Sequence, residues 1–182
     1  MKNRIIGFIV VLIIAAGLII YFRSEQHKEQ RITHVDCGNN LKQIALALRV
    51  WAGDHENKFP WNVSTNTGGT KELVGLDQNG FDTNAWVHFQ AMSNELETPK
   101  ALVCPNDTSK QPAADFAHVG ASNLTYRLHI VPTITPGDSA GAKVSLVFCP
   151  ADGSTLYYDG HVESTGPKNE PNGFRPMQVP GK

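Results

Sequence analysis

The chain has 182 residues, 16 Lys and Arg against 17 Asp and Glu, for a formal net charge of −1 and a pI near 6.6. That balance lacks the electrostatic signature of a nucleic-acid binder. The length suits one long helix and a single-core domain, while 16 Gly and 11 Pro predict a loop- and β-rich chain beyond that helix.

Residues 1–7, MKNRIIG, form a basic leader carrying Lys2 and Arg4. The run IIGFIVVLIIAAGLIIYF over 5–22 holds no charge. As a helix its 18 residues would rise about 27 Å, close to a bilayer's hydrocarbon thickness. The expectation is a transmembrane segment over 8–24, N-terminus inside, in a single-pass protein of the inner (cytoplasmic) membrane with an extracytoplasmic, periplasmic C-terminal domain. A cleaved secretory signal is the competitor, with Ala15-Ala16-Gly17 as its small-residue site. Five further apolar residues follow that site, which favours a retained anchor.

A charged stretch, RSEQHKEQR, leads into the extracytoplasmic amphipathic part of the same helix, 25–56. Leu41, Ile44, Ala45, Leu48 and Trp51 recur at three- and four-residue steps, a stripe that reads as packing surface. No proline interrupts the chain before Pro60, which closes the helix. Residues 57–165 are expected to form an antiparallel sheet domain. Polar loops at 62–71 and 75–84 precede a short helix over 84–96. Strands are predicted over 100–107, 122–133 and 142–150, and a hairpin over 154–164 turns at Asp159-Gly160. The tail, 166–182, has four prolines and no periodicity.

Of the three cysteines, Cys104 and Cys149 share a local pattern, VCPND and FCPAD. In an exported domain this favours a Cys104–Cys149 disulfide over Cys37–Cys104, with three reduced, buried cysteines as the alternative. A cysteine zinc site is disfavoured because no cysteine has a second within four residues. The seven histidines are scattered without a His-Glu-x-x-His or similar pairing. A Cys37 thiol with a distant His161 base lacks any sign of a cleft. No phosphate loop, nucleophile elbow or dinucleotide fingerprint is present, so no enzyme activity is expected.

The basic lead ending in Gly7-Phe8, the long apolar helix, CGNNLKQIALALRVWAGDHENKFP, a Cys-Pro-x-Asp segment and a late YYDGHVE together resemble bacterial prepilin-like exported proteins. These are relatives of type II secretion pseudopilins and type IV pilins. The resemblance implies an α+β pilin-like fold, a long N-terminal helix packed on a small antiparallel sheet. It implies cleavage by a prepilin peptidase after Gly7, methylation of Phe8, and bundling with other pilin-like subunits. The family's glutamate at the fifth mature position is Leu12 here, and a histidine it often carries ten residues before the Asp of Asp-Gly is Cys149. Calcium binding by some related pseudopilins would fall here to Asp107, Asp152 and Asp159, positions where turn chemistry is the stronger reading. The function implied is a non-enzymatic, structural subunit of a type II secretion or pilus-like system. The alternative is a permanently membrane-anchored binding domain that does not assemble.

Overall fold

The computed structural model describes residues 2–136 and 144–164, the side chains of 2–12 and 25–35 lying outside that description. Helix α1 runs from Lys2 to Asp54 without a break. Its second half carries the core stripe: Cys37, Leu41, Ile44, Ala45, Ala47, Leu48, Trp51 and Ala52 are all buried. The three/four-residue spacing therefore extends one turn earlier than Leu41, to Cys37. The helix stops without a glycine. Glu56 and Asn57 both take left-handed backbone, and the Asn57 N–H reaches back to the Ala52 carbonyl, satisfying one of the last orphan acceptors.

α1 lies on a four-stranded antiparallel meander, β1 (Arg127–Leu128), β2 (Ser145–Phe148), β3 (Ser154–Tyr157) and β4 (Val162–Ser164), paired in chain order. Leu128 faces Val147, Val147 faces Leu156 and Leu156 faces Val162, so one apolar row crosses all four strands. A bulge between Ser145 and Val147 shifts the β2–β3 register. The β3–β4 turn is built on Asp159 and Gly160, where the sequence places it, and Gly160 has φ +92°. Two short helices, α2 (Ala85–Ala91) and α3 (Ser93–Leu96), fill the region predicted as one helix. The aromatic pair Phe59 and Trp61 stacks at 4.6 Å below the end of α1, with Tyr158 edge-on to Phe59.

Two strand expectations fail for local reasons. Residues 99–102 form a 3-10 turn: Pro99 opens it and the Thr98 hydroxyl accepts from the Lys100 N–H. Of 122–133 only Arg127 and Leu128 form a strand; beyond them the chain turns to residues 80–82, His129 bridging Phe81 and the Ile130 N–H bonding to the Gly80 carbonyl, while Thr125 and His129, on the predicted polar side, are buried and hydrogen-bonded to Asp107 and to the Ser145 carbonyl.

The membrane expectation is corrected. Among the described residues no helix is long and apolar enough to cross a membrane. The transmembrane segment and the single-pass inner-membrane placement are withdrawn, and the fold is α+β with a small antiparallel sheet.

Candidate functional site

The sulfurs of Cys37, Cys104 and Cys149 and a carboxylate oxygen of Asp152 all lie within 4.8 Å of one another. All four residues are 0% exposed. Three separate parts of the fold supply them. Cys37 comes from the buried stripe of α1, Cys104 from the segment after the 99–102 turn, and Cys149 and Asp152 from the β2–β3 connection. That connection is tight: the Cys149 N–H bonds to the Ser154 carbonyl, the Gly153 N–H bonds to the Cys149 carbonyl, and Gly153 sits at φ +75°. Cys-Pro-x-Asp over 149–152 thus brings a sulfur and a carboxylate to one point. Asn40, one turn after Cys37, donates to the Val103 carbonyl at 3.0 Å and fixes the Cys104 segment against α1.

Each group is held by a neighbour. Asp152 accepts from both the N–H and the hydroxyl of Ser154, at 2.9 and 3.1 Å. The Tyr126 hydroxyl lies 3.5 Å from the Cys37 sulfur, and the Cys37 and Cys149 sulfurs are 3.3 Å apart. Thiol hydrogen bonds from Cys149 and then Cys37, helped by the Asn106 N–H, hold the Cys104 thiol down at about 4. The same hydrogen bonds to Cys104 push the Cys37 and Cys149 thiols up, and burial adds to both. The expected Cys104–Cys149 disulfide is corrected: all three cysteines are free and buried. A third sulfur, Cys37, shares the pocket, which the paired Cys-Pro-x-Asp pattern did not reveal.

The other candidate residues are placed apart. The aspartates at 107, 152 and 159 form no common ligand group among the described residues. Asp107 accepts from Ser109 and from the Thr125 hydroxyl, and Asp159 from the N–H and imidazole of His161. Both act as turn residues. Gly7, Phe8 and Leu12 lie on α1, their side chains outside the described residues.

A second polar cluster went unread in the sequence. The Thr70 hydroxyl lies 2.5 Å from Nδ1 of His88, whose Nε2 bonds to Asp82. Hydroxyl, imidazole and carboxylate stand in the order of a nucleophilic triad, but all three are buried, His88 completely. Asp82 also accepts from the N–H groups of Gly75 and Asn84, so the chain of bonds ties the 70–84 loop to α2.

Among the described residues the largest run of exposed apolar side chains is in the early part of α1. Ile13, Ile14, Leu18, Ile19, Ile20, Tyr21 and Phe22 are each at least 52% exposed. At about 3.6 residues per turn they point to all sides of the helix. No protein-family model, curated protein or solved structure matches the chain.

Proposed function

We propose that this chain is a non-enzymatic assembly subunit of pseudopilin-like build, a component of a type II secretion or pilus-like filament, whose copies join through the early part of α1. The observation that carries this reading is the apolar surface over 13–22, exposed around the whole helix circumference. A contiguous exposed apolar surface of this kind marks an association site. One flat partner would cover one side of it, whereas equivalent helices from several copies would enclose it. Among the described residues the buried face of α1 lies in its second half, which supports the same division of labour: one half holds the head, the other is left to join subunits.

Sedimentation velocity on the full chain tests this, alongside a variant carrying Ile14→Lys and Leu18→Lys. The expected result is discrete species larger than a dimer for the native chain and a monomer with unchanged thermal unfolding for the variant. A native chain that sediments as a monomer, or as a broad aggregate that the two lysines do not resolve, would overturn the assembly role and leave a non-assembling binding domain.

A further inference from the structure

We propose that Cys37, Cys104, Cys149 and Asp152 are the four ligands of a closed zinc(II) site that fastens helix α1 to the β2–β3 turn. Structural zinc is four-coordinate, tetrahedral, and bound by just such thiolate, imidazole and carboxylate donors. With Zn–S of about 2.3 Å, a tetrahedral site has S···S edges of about 3.8 Å. The observed spread, 3.3 Å for Cys37–Cys149 and no more than 4.8 Å for any ligand pair, spans that value.

The donor set selects the metal. Three thiolates suit zinc, whereas calcium takes six to eight oxygens and has one carboxylate to draw on here. The set also differs from that of a redox pair: a disulfide would engage two of the three sulfurs, whereas one zinc engages all three and the carboxylate beside them. The neighbours are those of a supported metal site. Ser154 orients both oxygens of Asp152, the Asn106 N–H supports the Cys104 sulfur, and Tyr126 stands against Cys37. A surface groove lined by Asn40, Val103, Cys104 and Asp107 runs beside the segment that carries Cys104. The four protein ligands leave no open position, so the site is structural. The proposal is independent of the assembly reading.

The test uses the full chain, reduced and loaded with zinc or cobalt(II). Expected are one zinc per chain by elemental analysis and, for cobalt, the intense visible bands of a tetrahedral ion with thiolate charge transfer in the near ultraviolet. Asp152→Asn should weaken zinc binding by more than about tenfold, while Asp152→Cys restores a tetrahedral cobalt spectrum. A reduced native chain that takes up neither metal, or gives the weak bands of octahedral cobalt, would overturn the site. So would Asp152→Asn that folds and binds zinc as tightly as the native chain. A chain isolated two hydrogens lighter than its reduced mass, and taking up no zinc after reduction, would assign the cysteines to a disulfide instead.

Discussion

The guanidinium of Arg49, on α1, donates to the backbone carbonyl of Asp159 at the tip of the β3–β4 hairpin, 110 positions later in the chain. It lies directly over Gly160, where an added methyl would sit 2.9 Å from the Arg49 Cζ. Glycine is favoured at 160 by its φ of +92°, and an added methyl would also have to displace the end of the Arg49 side chain. Gly160→Ala is expected to cost about 1–3 kcal/mol. Arg49→Ala should cost about 0.5–1.5 kcal/mol. Because Arg49→Ala also removes the clash, the double variant should lose less than the sum. Urea unfolding of the four proteins measures this; strictly additive losses would show that Arg49 does not press on the turn.

The buried chain Thr70–His88–Asp82 predicts a marked asymmetry among substitutions. Burial opposes ionisation of Asp82, but the hydrogen bonds from His88 and from the Asn84 and Gly75 N–H groups outweigh it and hold its carboxyl below the usual range. His88→Leu takes the imidazole hydrogen bond from that buried carboxylate while the Gly75 and Asn84 N–H bonds remain, and should cost about 1.5–3 kcal/mol. Thr70→Val removes one neutral hydroxyl from the other ring nitrogen and should cost about 0.5–1.5 kcal/mol. Because Asp82 is depressed, the stability it contributes is present above the ordinary carboxylate value, near 4, and is lost as pH falls below it. Denaturant melts of both variants at neutral pH check the ranking. Equal losses would mean that the ring packs rather than pairs.

The sequence made the architecture legible wherever a period or a turn signal was strong. The 3- and 4-residue spacing of Leu41, Ile44, Leu48 and Trp51 identifies the packed face of α1, and Asp159-Gly160 identifies the β3–β4 hairpin. Short apolar segments misled: Ala101-Leu102-Val103 reads as a strand, yet Pro99 and the Thr98 cap wind it into a 3-10 turn. The candidate site was half legible. Both Cys-Pro-x-Asp echoes stood out, but the spacing rule for zinc sought a second cysteine within four residues of the first. At 149–152 the second ligand is an aspartate, and Cys37 arrives from a helix more than a hundred positions earlier. Nothing local in the sequence announces such a meeting. The Thr70–His88–Asp82 chain was invisible for the same reason, since Thr70 and Asp82 stand in two separate polar loops and His88 in the helix that follows them.

His129 predicts a dependence on mildly acidic pH. Burial pushes its imidazole below the usual value, against the opposing pull of the Ser145 carbonyl and of Asp77. The unfolded chain therefore binds the proton first as pH falls. Stability is full above about 6.5 and declines as pH drops from there toward the lower folded-state value. His129→Asn places an amide N–H near the position of Nδ1, which now donates to the Ser145 carbonyl at 2.9 Å. The variant should lose stability at pH 7 but show a shallower decline between pH 7 and 5, with a slope difference of at most about 1.4 kcal/mol per pH unit. Parallel slopes for the two proteins would place the titrating group elsewhere.

The likeness to prepilin-like proteins yields its own prediction at the Gly7-Phe8 junction. If a prepilin peptidase acts on this chain, the protein isolated from its source begins at an N-methylated Phe8, and Gly7→Ala should lower the cleaved fraction. After such cleavage Leu12 would occupy the fifth mature position, where prepilin-like proteins usually carry a glutamate. An apolar helix that holds no buried carboxylate has no charge for a neighbour's N-terminal amine to neutralise, so assembly here would rest on apolar packing alone. Leu12→Glu should then leave cleavage intact and alter the size distribution of the assembled species. Intact mass with N-terminal sequencing reads the first outcome and sedimentation the second. A chain that retains Met1 when isolated from a source with an active peptidase would remove the processing step and overturn the pilus-subunit reading.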